Sequence, residues 1–155
     1  AEHAMPKTVF LGSDHAGLEL KTVVAAHLAA AGHAVVDLGP SEAKSVDYPD
    51  FAKAVCAKVL ETPESCGILI CGTGIGMSMA ANRIPGIRAA LCVNEYLARM
   101  TRLHNDANVL CLGERVVGQG LAASIVDAFM ETAFEGGRHQ RRVDLIETCR
   151  PGCGL

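Results

Sequence analysis

At 155 residues, half of them hydrophobic and a fifth charged, the chain has the size and composition of one folded domain and not of a disordered segment. Its net charge of −3 offers no electrostatic attraction for nucleic acid, and no apolar run reaches the length of a membrane span. Trp is absent and aromatics make up 4%, so the core has to be built from Ala, Val, Leu and Ile.

Ala1-Glu2-His3-Ala4, ahead of Met5, reads as an appended leader, and a single domain is expected over 5–155. Thr8 to Leu11 is a first predicted strand, ending in Gly12-Ser13-Asp14-His15-Ala16-Gly17. Leu18 to Ala31 has helical periodicity, and Gly32 supplies a C-terminal stop. A second strand, Ala34 to Asp37, runs into a polar loop through Pro49, and Phe51 to Leu60 is the next helix. Gly67 to Cys71 is the clearest buried strand; the loop Gly72 to Gly76 and a short helix from Met77 to Arg83 follow it. Ala89 to Val93 is a strand, Glu95 to His104 a helix, Val109 to Leu112 a strand, and Leu121 to Phe134 the last long helix. Five strands alternating with helices predict parallel βαβ units with right-handed crossovers. The expected fold is a three-layer, Rossmann-like α/β domain with a five-stranded parallel sheet flanked by helices.

In such sheets ligands bind outside the carboxyl ends of the strands. Asp14 and His15 follow the first strand and Cys71 to Gly76 the third, so both loops are expected on one edge. His104, Asn105 and Asp106 precede the fifth strand and belong to the opposite edge. If they serve the same site, a second subunit has to bring them.

Three glycines in Gly72-Thr73-Gly74-Ile75-Gly76 let a ligand approach the main chain, and the next helix aims its free N–H groups at an anion. A tight strand–helix turn without ligand would look the same. No Gly-Lys-Ser/Thr ends the loop, so it is not a Walker loop, and the glycine spacing does not fit a dinucleotide fingerprint. Cys71 faces that helix start, where a thiolate is favoured, and no Asp, Glu or His occurs from Cys71 to Ala81. Position by itself leaves Cys71 open between proton-transferring base and inert core thiol. Asp14 and His15 suit hydroxyl and phosphate recognition or proton transfer, while Asp14 equally suits a helix cap. Taken alone, His104-Asn105-Asp106 reads as a polar helix exit. Arg115, Arg138, Arg141 and Arg142 match phosphate oxygens in geometry, or form a solvated basic face. The compact basic run Arg138-His139-Gln140-Arg141-Arg142 in a mildly acidic chain fits a small anion better than a polyanion.

Seven cysteines without a signal-peptide pattern lead to the expectation of a cytoplasmic protein with free thiols. Cys149 and Cys153 could pair or bind metal, but no matching His or Cys cluster in the sequence supports a zinc site.

Taken together, these residues resemble the type B ribose-5-phosphate isomerases, related to galactose-6-phosphate isomerase subunits. The matching stretches run in family order: 12–17, Asp47-Tyr48-Pro49, 67–76, Ala80-Ala81-Asn82-Arg83, Gly86-Ile87-Arg88-Ala89, 104–109 and Glu135-Gly136-Gly137-Arg138-His139. The resemblance implies interconversion of ribose 5-phosphate and ribulose 5-phosphate through an enediolate, with no metal and no coenzyme. It casts Cys71 as the base between C1 and C2, assisted by Thr73, with the N–H groups of Gly72, Gly74 and Gly76 around the enediolate. It gives ring opening to His104 with Asp14, phosphate to His15, Arg115, Arg138 and Arg142, and the sugar to Tyr48 and Asn105. It further implies a homodimer or tetramer with active sites shared between subunits. Relatives that lack this cysteine carry a glutamate where this chain has Met77, which cannot accept a proton. A 6-phosphohexose substrate such as allose or galactose 6-phosphate is the alternative, and a non-catalytic sugar-phosphate-binding subunit a further one. The segment from Cys149 to Cys153 matches no family element.

Overall fold

Five strands, Thr8–Ser13 (β1), Ala34–Asp37 (β2), Cys66–Cys71 (β3), Ala89–Leu91 (β4) and Val109–Gly113 (β5), pair in parallel in the order β2-β1-β3-β5-β4. This is seen in a computed structural model that describes residues 5–149; residues 1–4 and 150–155, with them Cys153, lie outside the described residues. The helices are Leu18–Ala30 (α1), Tyr48–Glu61 (α2), Ile75–Asn82 (α3), Glu95–Asn105 (α4), Gln119–Glu131 (α5) and Arg138–Glu147 (α6). A single 3₁₀ turn, His15–Gly17, leads into α1.

The central strand β3 is buried along its whole length and divides its side chains between two cores. Ile68 and Ile70 face a cluster completed by α1, α4 and α5, through residues such as Leu20, Val24, Ala98, Ile125 and Phe129. Leu69 and Cys71 face the other, completed by Val55 and Cys56 of α2 and Met77 and Ala81 of α3. Alternation with a period of two thus becomes a three-layer sandwich. Each fully buried residue such as Ile68 stabilises it by about 1.5–3 kcal/mol relative to exposure.

The sheet also decides where a ligand can sit. β1 and β3 are neighbours, yet the helices that follow them, α1 and α3, pack on opposite faces. The loops after β1 and β3 therefore part and leave a crevice at the carboxyl edge.

Element boundaries differ from expectation at instructive places. The helix expected from Phe51 begins at Tyr48, because Pro49 sits in the first turn, where its missing N–H has no consequence. The helix expected from Met77 begins at Ile75, so Gly76 lies inside it. The basic run 138–142 opens a helix, α6, that periodicity does not predict. Only His139 and Val143 of α6 are buried, so there is no apolar stripe to read.

Candidate active site

At the carboxyl edge lies an open cleft of about 510 Å³, walled by Asp14, His15, Tyr48, Cys71, Thr73 and Arg115 among others. They arrive from four parts of the chain. Asp14 and His15 follow β1; Asp14 Oδ1 accepts from the N–H groups of Ala16 and Gly17 at 3.0 and 3.1 Å, so the helix-cap reading holds alongside its place in the cleft. His15 is exposed, and its Nδ1 accepts the Val46 N–H at 3.3 Å, which leaves Nε2–H as the donor of the neutral ring. Tyr48 enters from the start of α2, with its ring against Gly76.

Cys71 ends β3 with only 5% of its surface exposed, and the Gly74 N–H donates to its Sγ at 3.1 Å. Gly74 makes that turn with φ of +81°, a conformation other residues rarely adopt. Thr73 Oγ1 accepts the Ile75 N–H at 3.2 Å, which leaves its hydroxyl hydrogen to donate elsewhere. The loop is pressed on β5: a Cβ on Gly113 would lie 2.5 Å from the Thr73 carbonyl carbon and oxygen. Beyond β5 the chain folds back, with the Glu114 and Arg115 N–H groups donating to the Cys71 and Gly72 carbonyls at 3.0 Å each, and this sets Arg115 over Gly72.

Four other cysteines show what an inert thiol looks like in this protein. Burial pushes Cys56 up to about 12 and Cys66 and Cys92 up to about 11, and it holds Cys111 well above the usual range. None of them lines the cleft. Met77 is fully buried in the core.

His104, Asn105, Arg138 and Arg142 do not line this cleft. They gather instead where α4 ends and α6 begins, toward the edge at which β5 starts. There the His104 and His139 rings stack, with centroids 4.3 Å apart and planes 17° from parallel. Glu135 Oε2 lies 4.0 Å from His104 Nε2 and 3.7 Å from His139 Nε2. His139, 5% exposed, is held below the usual 6.5 first by burial, then by the charge of His104, with Arg138 and Arg142 adding and Glu135 opposing. Arg138, Arg141 and Arg142 are all exposed. The sequence singles out neither His139 nor Glu135 for a role. Their spacing of four residues is no signal in itself, because a turn at Gly136 and Gly137, ahead of α6, is what brings them together.

Among the described residues, His104, Glu135 and His139 are the one group whose ligand atoms, all within 4.8 Å of one another, could hold a metal ion. The neighbouring arginines work against a cation and for an anion. The six described cysteines, Cys149 included, are free thiols. No described helix is long and apolar enough to cross a membrane.

Residues 9–146 match the Ribose/Galactose Isomerase family. This chain belongs to that family. Among relatives of the ribose/galactose isomerase chain, the ribose-5-phosphate isomerase B of Escherichia coli (strain K12) is 48% identical over 140 residues, covering 90% of this chain and 94% of the relative. The solved ribose-5-phosphate isomerase B of Clostridium thermocellum superposes with a TM-score of 0.88 at 52% identity, covering 90% of this chain and 95% of that one. That of Mycoplasma genitalium, crystallised with bound ribulose-5-phosphate, does so with a TM-score of 0.88 at 48% identity, covering 92% of this chain and 95% of its own.

Proposed function

We propose that the protein interconverts ribose 5-phosphate and ribulose 5-phosphate in the cleft around Cys71. The observation that carries this is the Cys71 thiol at the cleft wall with a backbone N–H on its sulfur, beside a free hydroxyl donor on Thr73. The relatives named as ribose-5-phosphate isomerase B, one of them with the ketose phosphate bound, favour the pentose over a 6-phosphohexose.

The chemistry follows from the residues. Cys71, as thiolate, removes the C2 proton of the open-chain aldose. The electron pair forms a C1–C2 double bond, and the negative charge passes to O1. Thr73 and the N–H groups of the Gly72–Gly76 loop hold that enediolate; donors fixed in advance are worth about 3 kcal/mol of barrier each. The O2 hydrogen passes to O1, the thiol returns its proton to C1, and C2 becomes the carbonyl. Hydrogen has moved within one molecule, so no redox coenzyme is called for.

His15 and Arg115 of one subunit and Arg138 and Arg142 of its neighbour bind the phosphate. His104 of the neighbour, with Asp14, opens the furanose ring; Tyr48 and Asn105 line the sugar. The support for a homodimer or tetramer with shared sites is the separation of the two residue groups to opposite edges of one sheet. A single isomerase domain over 5–155 and a cytoplasmic location, in keeping with the free thiols, complete the reading.

A coupled assay with ribose 5-phosphate, allose 6-phosphate and galactose 6-phosphate tests it, run with and without a chelator. Turnover of the pentose, unaffected by the chelator, is expected. Strong preference for a hexose would overturn the substrate, and turnover of none would overturn the enzyme.

A further inference from the structure

Arg88 lies just ahead of β4 and does not line the Cys71 cleft. Its guanidinium is nonetheless the most heavily bonded side chain near the His104 group. Nε donates to the Asn105 and Asp106 carbonyls at 3.0 and 3.1 Å, and Nη2 donates to the Asp106 carbonyl at 2.9 Å. Nη1 donates to Glu147 Oε1 at 2.6 Å. The other Glu147 oxygen accepts the Gly86 N–H at 3.2 Å, and the Arg88 main-chain N–H donates to Asn108 Oδ1 at 2.8 Å.

These bonds add a second joint between two elements that also meet at the His104–His139 stack. Asn105 and Asp106 follow His104 directly at the exit of α4, where helix carbonyls have no partner within the helix. Asp106 turns there with φ of +46°, a strained conformation for a residue with a side chain. Arg88 occupies its carbonyl and so holds that turn. Glu147 is the last residue of α6, the helix that begins with Arg138, His139 and Arg142 in its first turns. Because α6 buries only two of its residues, apolar packing by itself fixes its direction poorly. It is fastened near one end by the His104–His139 stack and at the other by the Arg88–Glu147 pair. The two side chains are 18% and 29% exposed, so this charge-assisted bond is partly shielded from solvent.

We propose that Arg88 and Glu147 form a positioning clamp that holds His104, Asn105 and the basic face of α6 as one unit, the half-site that a subunit lends to its neighbour. The clamp touches no substrate and acts through His104 and Arg142, so it rests on the reading of those two residues given above. It deepens that reading: ring opening and phosphate binding become coupled, because one joint sets the place of both groups.

The test is a double-mutant cycle on the full-length enzyme, with ribose 5-phosphate as substrate. It uses Glu147→Ala, Arg142→Ala, the two combined, and His104→Ala as a reference. Glu147→Ala is expected to lower kcat/KM about tenfold, the scale of a lost charged hydrogen bond, through KM and kcat together. In that background Arg142→Ala should cost no more than about a third of the fold-loss it causes in the unaltered enzyme, since an arginine already displaced has less to lose. Glu147→Gln, which keeps shape and loses charge, should show the same non-additivity more weakly, and it carries the cycle if the alanine variant does not fold. Fully additive losses would overturn the clamp and leave the site intact. Unchanged kinetics in both Arg142→Ala and His104→Ala would overturn the site reading and the clamp with it.

Discussion

Around Cys71 the chain is held by its backbone: the loop is pressed against β5 at Gly113, the Gly74 N–H lies on the sulfur, and the Glu114 and Arg115 N–H groups close over the end of β3. Around His104 it is held by side chains: a histidine stack, a carboxylate facing the Nε2 atoms of both rings, and the Arg88–Glu147 pair. The first region is anchored in a sheet with both faces buried, where close packing resists movement. The second belongs to a helix with two buried residues, open to adjustment against another surface. Proton transfer at carbon needs fixed geometry within a fraction of an ångström, whereas phosphate binding and ring opening tolerate, and across a subunit boundary require, a half-site that can be fitted. On the reading proposed above, the division of labour follows the division in rigidity.

Removing the proposed base is the largest perturbation of the first region. Cys71→Ala is expected to abolish exchange of the substrate C2 proton with solvent and to lower kcat by about 10³-fold or more, while sugar-phosphate binding survives. Normal turnover would sink the mechanism. The same variant shows whether the two regions meet across subunits. Mixed with His104→Ala under conditions of demonstrated subunit exchange, it should recover about a quarter of full activity, because half the dimers are hybrids and each hybrid holds one intact site. No recovery would place both regions in the service of a site within one chain.

A smaller effect is expected from disturbing the backbone and leaving the chemistry alone. Gly113→Ala sets a Cβ 2.5 Å from the Thr73 carbonyl, so the loop has to shift. A displacement approaching an ångström at the reacting centre lowers kcat by about 100-fold, with a lesser change in KM. Steady-state kinetics on the folded variant decide it; kcat equal to that of the unaltered enzyme would mean that the loop is looser than its packing implies.

The same contrast governs what could be read from the residues alone. Gly67 to Cys71 is an uninterrupted apolar run stopped by glycine, and such runs announce a buried parallel strand. The cleft group Asp14, His15, Cys71 and Thr73 follows from the rule that ligands bind at carboxyl ends, and the same rule sets His104 apart, whereas Arg115 is marked in the sequence only as a guanidinium that matches phosphate. Family resemblance drew attention to Tyr48, whose position inside α2 is masked by a proline that reads as loop. Helix α6 was illegible for a physical reason: polar joints fix it, and hydrophobic periodicity carries no record of them. His104 and His139 are 35 positions apart, Arg88 and Glu147 59 apart, and no spacing rule joins residues at such distances.

The smallest expected effect probes the second region through pH. The His139 ring is held below its usual 6.5 by burial first, then by His104, with Arg138 and Arg142 adding and Glu135 opposing. The folded protein therefore binds this proton less readily than the unfolded chain does. The contribution to stability is complete above about pH 6.5 and is lost as pH falls toward the lowered value, because protonation then favours the unfolded chain. Between about pH 7 and about pH 5.5, the melting temperature of the unaltered protein should fall more steeply than that of His139→Asn, which has no proton to take up there. The difference between the two slopes isolates this ring from the other histidines. Equal slopes would mean that the stack stays open enough to water for His139 to titrate as it does in the unfolded chain, and the half-site would then be looser in solution than the near-parallel rings imply.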